Sequence, residues 1–149
     1  MNKLSITIKG KYFNKHNLSV AVKINDNEIS TVDSYGNINA NFEYDKNAIV
    51  RHDFELIVTG KVQLLNSIDN FSVMRDQAIE AAYIIESMKF DDYDVMPILA
   101  TAAKYYHTQN NSAKQPVVED YTNWLGYDGA IKFTFVTPVF AWFLSDFEY

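Results

Sequence analysis

Residues 69–88 read DNFSVMRDQAIEAAYIIESM. Phe71, Met74, Ala78, Ala81, Ile85 and Met88 recur at spacings that alternate between three and four. That rhythm keeps one face of an α-helix apolar, so it predicts a helix over 69–88. Ile79, Tyr83 and Ile84 widen the stripe, which predicts that this helix is well buried. The reading decides the fold class, because a long buried helix needs a partner layer to cover.

Upstream, the period is two. Leu4, Ile6 and Ile8 alternate with Ser5, Thr7 and Lys9. Leu18, Val20, Val22 and Ile24 repeat the pattern, and so do Ile38, Ala40, Phe42 and Tyr44 against Asn37, Asn39, Asn41 and Glu43. A longer run, Phe54, Leu56, Val58, Val62 and Leu64, follows, with Gly60 marking a bulge or bend. Strand side chains point to alternate faces, so each run predicts one buried and one wet face. Asn25-Asp26-Asn27, Tyr35-Gly36-Asn37 and Asp45-Lys46-Asn47 supply turn chemistry between the runs. Residues 3–65 are therefore predicted to form four or five strands in an antiparallel meander.

Downstream, Met96, Leu99 and Ala103 predict a second helix over 95–107. A third, short helix is predicted from PVVEDYTNWLG, residues 116–126. Pro116 suits the first helical position, Glu119 and Asp120 suit the positive dipole end, and Gly126 suits the terminal cap. Ile131, Phe133 and Phe135 alternate as a strand that breaks at Pro138, and VFAWFL resumes as a second strand or a bent continuation. The expected fold is α+β. A mostly antiparallel N-terminal sheet of four to five strands packs on two to three helices, with a C-terminal strand or hairpin. The single domain, 1–149, divides into a β meander (1–65), a helical layer (66–126) and C-terminal strands (127–149). The alternative is a small β-sandwich with a helical insertion.

Composition narrows the function. The chain has no cysteine, which excludes disulfides, thiol catalysis and thiolate-bound zinc. No glycine-rich phosphate loop, nucleophile elbow or paired-histidine zinc motif occurs. The apolar stretch from Val136 to Leu144 is less than half the roughly 20 residues that span a bilayer. A soluble, cytoplasmic protein without a cofactor is expected, in a bacterial host if the chain is phage-encoded. The formal net charge is −6, unevenly spread. Residues 1–65 hold eight basic and seven acidic side chains, and residues 66–149 hold five and twelve. Phosphate binding needs a basic stripe, so direct nucleic-acid binding is not expected.

The acidic half has local foci. KFDDYDVM, residues 89–96, carries Asp91, Asp92 and Asp94 around Tyr93. No register of these three puts a glycine sixth and a glutamate twelfth, so a calcium loop is excluded and no metal site is assigned. Asp94 is expected to accept first-turn N–H groups of the second helix, with Asp91 and Asp92 in a helix–helix connection. Aromatics recur beside carboxylates again at Glu119, Asp120 and Tyr121, and at Tyr127 and Asp128. Aromatics supply contact area and carboxylates steer basic partners. Asp91, Asp92, Tyr93, Glu119, Asp120, Tyr127 and Asp128 are therefore the candidate partner-binding residues, and no catalytic residue is assigned. The expected function is a small acidic protein-binding module whose partner presents a basic surface. Its sharpest form is a phage-type inhibitor, of the anti-CRISPR or anti-restriction class, of a basic nucleic-acid-binding enzyme. The alternatives are a toxin-neutralising immunity protein, a phage structural or assembly component, and a carbohydrate binder or enzyme. The last would use the polar sheet face around Asn37, Asn39, Asn41 and Asp53.

Overall fold

The computed structural model describes residues 2–14, 17–67, 78–111 and 113–147. The strands are β1 (Asn2–Phe13), β2 (Ser19–Ile24), β3 (Asn27–Glu28), β4 (Ser30–Val32), β5 (Ile38–Tyr44) and β6 (Val50–Thr59). They continue with β7 (Ala82–Phe90), β8 (Tyr93–Asp94), β9 (Lys104–His107), β10 (Val117–Asp120), β11 (Trp124–Leu125) and β12 (Gly129–Thr137). Short helices intervene, those bounded within the described residues being α1 (Lys61–Asn66), α2 (Met96–Ala102) and α3 (Val139–Phe147). One antiparallel sheet runs β11-β7-β1-β5-β4, with β8 also on β7. The other, also antiparallel, runs β10-β9-β12-β6-β2-β3.

The molecule is thus mostly β, with two sheets facing each other, and the α+β expectation is corrected. Leu4, Ile6 and Ile8 of β1 and Val22, Ile24, Phe54 and Leu56 of the second sheet share one buried cluster. Phe90 of β7 meets Phe54 at 6.0 Å and Phe135 at 5.3 Å across the gap. Trp142 of α3 stacks on Phe133, with ring centroids 5.9 Å apart, and caps this aromatic layer. Aromatic pairs at such spacings add to the burial of apolar area.

The predicted helix over 69–88 is overturned over its last third, residues 82–88. Residues 69–77 lie outside the described residues, and 78–80 are helical. Residues 82–90 are strand β7, bonded to β1 along its length. The reason for the misreading is a bulge. Ser87 pairs with Lys9 and Ile85 with Gly10, so Glu86 is an extra residue on β7. Tyr83, Ile85, Met88 and Phe90 all face inward, but the bulge sets Ile85 and Met88 three apart, which imitates helical spacing. The second predicted helix is shorter than 95–107: α2 ends at Ala102, and Lys104–His107 are strand. The third predicted helix is absent. Val117–Asp120 and Trp124–Leu125 are strands on different sheets.

The meander is corrected too. β1 pairs with β5 and β7, and β6 with β2 and β12, so the chain crosses repeatedly between sheets. The run predicted through Leu64 stops at Thr59. Gly60, at φ 99°, turns the chain into α1. After Pro138 the chain forms α3 rather than a second C-terminal strand.

The outer face of the second sheet carries a charged row across all six strands. Glu28, Lys23, Glu55, Lys132, Lys104 and Asp120 lie side by side in register. Opposite charges face each other everywhere except at Lys132 and Lys104. That like pair is relieved because Lys104 binds Asp120 at 2.6 Å and Lys132 lies over the Tyr106 ring.

Candidate binding cleft

Two of the candidate clusters lie in separate places. Asp91 and Asp92 form the two-residue turn of the β7–β8 hairpin, where Phe90 pairs with Tyr93. Their φ values are 50° and 70°, as a type I′ turn requires. The expected helix–helix connection is therefore a β-turn. Asp91 also binds the end of β1: its Oδ1 accepts the Ser5 N–H at 2.8 Å, and its own N–H donates to the Ser5 carbonyl. Asp94 Oδ1 accepts the Met96 N–H at 2.9 Å, but the cap of α2 is Val95, and Asp94 lies one position before it. Tyr93 is exposed and packs edge-on against Phe143 of α3.

Glu119, Asp120 and Tyr127 come together at a cleft of about 700 Å³. It opens where the end of β1, α1, β10 and β11 meet. β10 presents Glu119 on the inward face, opposite Tyr105, and Asp120 on the outward face, opposite Lys104. Phe13 and Trp124, with ring centroids 4.8 Å apart, form an aromatic wall. Ile79 and Trp124 are 54% and 45% exposed, so apolar surface remains uncovered here. Glu80 adds a third carboxylate and holds the Asn14 amide at 3.2 Å.

Lys61 lines the cleft and is tied to Asp128, which does not line it. Asp128 Oδ1 accepts the Lys61 N–H at 2.8 Å and Oδ2 accepts the Val62 N–H at 3.1 Å, so its carboxylate closes the start of α1. That satisfies donors that a helix start leaves free. Asp128 is thus a structural residue under the cleft rather than part of its open rim. Lys61 is only 1% exposed. Its Nζ donates to the carbonyls of Ile79 and Ala81. Burial pulls its pKa down to about 8, against the opposing pull of Asp128. Lys61 is the one cation among the described residues lining the cleft, and its charge is turned inward.

His107 and Tyr105 back the wall. Tyr105 Oη donates to the Tyr127 carbonyl at 2.6 Å and accepts the Tyr127 N–H at 3.0 Å, which pins the segment after β11. Burial pushes the Tyr105 phenol well above its usual range. The Tyr127 ring stacks on His107 at 4.6 Å. His107 Nδ1 accepts the Gln109 N–H, so in the neutral ring the proton is on Nε2. Nε2 lies 2.9 Å from Glu119 Oε2, yet it has no hydrogen bond there. The Glu119 side chain stays 47% exposed. His107 belongs to a strand, so the expected placement at a helix end is corrected.

No family model, curated protein or solved structure matches this chain. Its function is therefore argued from the cleft alone.

The sequence reading missed Phe13, Lys61, Ile79 and Glu80, which converge only through the two-sheet topology. Trp124, inside the predicted third helix, stands instead at an exposed sheet edge. The polar face proposed for carbohydrate is split. Asn39 and Asn41 are on the outside of the first sheet, Asp53 on the outside of the second, and Asn37 Oδ1 accepts the Gly10 N–H. Among the described residues, no group of three or more histidines and carboxylates is placed to hold a metal ion. No helix among them is long and apolar enough to cross a membrane.

Proposed function

We propose that the chain is a protein-binding module whose cleft receives a basic side chain of its partner. One observation carries this reading: a cavity with aromatic walls and three carboxylates, whose one lining cation among the described residues points into the backbone. Arginine and lysine have apolar stems and charged heads, so they match such a cavity in both parts. Glu80 holds the neutral Asn14 amide, and the Glu119 side chain stays 47% exposed beside His107; Asp120 is already bound by Lys104. A basic nucleic-acid-binding enzyme is the class of partner that such charge would steer in, and inhibition of it is the narrower form of the proposal.

The test uses N-acetyl-arginine amide and N-acetyl-glutamate amide as probes, followed by chemical shifts of the labelled protein. The arginine probe should move resonances of Phe13, Glu119 and Trp124, and its affinity should fall with salt. Glu80→Gln with Glu119→Gln should weaken it by about tenfold, since each exposed charge pair contributes up to about 1 kcal/mol. If both probes bind alike, or neither shifts the cleft, the proposal is wrong.

A further inference from the structure

The partner's backbone also has a place to bind. β10 ends the second sheet, and among the described residues no strand pairs with its outer edge. Natural edges are blunted by shortness, charged side chains, inward-pointing charges, proline or a bulge. β3, β4 and β11 are two or three residues long, so those edges are blunt. β10, Val-Val-Glu-Asp, is four residues in regular register with β9; it follows Pro116, and its inward-pointing Glu119 is a charge that a basic neighbour would match. Its side chains are sorted for a fourth-side neighbour. Val118 is 55% exposed on the outward face, and Glu119 points inward into the cleft.

We propose that the partner docks as an extended basic segment that adds a strand to β10 and seats an arginine or lysine opposite Glu119. This rests on the cleft reading above and adds to it a backbone mode of recognition. Directly opposed residues on antiparallel strands bring their Cβ atoms within about 5 Å. A basic residue opposite Glu119 therefore enters the cleft between Glu119 and the Trp124 wall. The residue opposite Val118 lies on the other face, where an apolar side chain covers exposed valine. The recognised pattern is an alternation of basic and apolar residues, which the main chain holds by hydrogen bonds and the cleft reads for charge.

The test compares three probes on the full chain: N-acetyl-arginine amide, the capped peptide Val-Arg-Val-Arg-Val, and the same peptide N-methylated on alternate residues, in both phases. The peptide should bind at least about tenfold more tightly than the single residue, the gain expected from a few backbone bonds. It should also slow amide exchange within Val117–Asp120. N-methylation in one phase should remove that gain, and in the other phase should leave it. Should the peptide bind no better than the single residue, or both methylated forms bind equally, strand addition is overturned while the cleft reading stands. Should the single residue fail as well, both fall. Glu119→Gln should lower peptide affinity while leaving the exchange protection of β10 by a saturating peptide in place.

Discussion

Lys61 shows what one buried charge does to a fold. Its ammonium donates hydrogen bonds to two carbonyls of the 79–81 segment, and its backbone N–H donates to Asp128. Its folded pKa of about 8 is below the ordinary 10.5 because burial disfavours the ammonium. The sign follows from proton counting. Between those two values the unfolded chain keeps a proton that the folded chain has released, so stability rises with pH across the window. Below about pH 8 both states are protonated and the cost of the buried charge is fully present. Lys61→Met removes the charge at similar volume. The stability of the wild type relative to this variant should therefore climb between about pH 8 and 10.5 and be flat below. Urea unfolding across that range checks it, and comparing the two proteins cancels the tyrosines that also titrate there. A difference that does not change with pH would mean the fold does not disfavour the ammonium.

At the level of the element, the β7–β8 hairpin explains the acidic pair better than recognition does. Asp91 and Asp92 both hold positive φ, a conformation that costs most residues about 1–2 kcal/mol. Asp92→Gly should leave the unfolding midpoint unchanged or raise it, because glycine accepts φ 70° freely. Asp92→Val should lower stability by about 1–2 kcal/mol. Asp91→Ala should lower it by about 1 kcal/mol as the Ser5 N–H loses its partner. Thermal unfolding of the three variants decides the matter, and a stabilising Asp92→Val would refute the turn assignment. The turn had a signal: two consecutive Asx residues between Phe90 and Tyr93, the same pattern as Asn25-Asp26 between β2 and β3.

Such signals divide the chain into legible and illegible parts. β1, β2 and β5 have unbroken alternation, and their faces were readable residue by residue. β7 was not, because Glu86 interrupts the period and Ile84 is buried on the outward side near Trp124. β10 was not, because Pro116, Glu119 and Asp120 satisfy the rules for a helix start as well as they satisfy an edge strand. Only pairing with β9 decides between them, and that is non-local information. The cleft was half legible for the same reason. Glu119, Asp120 and Tyr127 announced themselves as acidic–aromatic neighbours, but Phe13 and Glu80 reach them only through the fold.

For the whole molecule, the question is whether the two sheets act as one unit. Phe90 touches Phe54 and Phe135 from across the gap, and Trp142 packs on Phe90 and Phe133 together. Neither sheet can lose its inner face without exposing the other's. Variants with Trp124→Phe or Trp142→Phe leave one fluorescent reporter each, on the sheet edge and in the shared core. Their denaturant curves should each coincide with the unfolding of the backbone seen by circular dichroism, as all-or-none unfolding demands. A reporter that departs from the backbone curve would show that the sheets melt independently.

The unequal edges of the second sheet set how this protein can assemble. One end, β3, is two residues long and leads directly into the other sheet; the opposite end, β10, is open. A chain that docks on β10 finds no equivalent acceptor on the far side to pass the pairing onward. Association through this sheet is therefore terminating: it yields a complex of one segment per protein, and never a growing fibre.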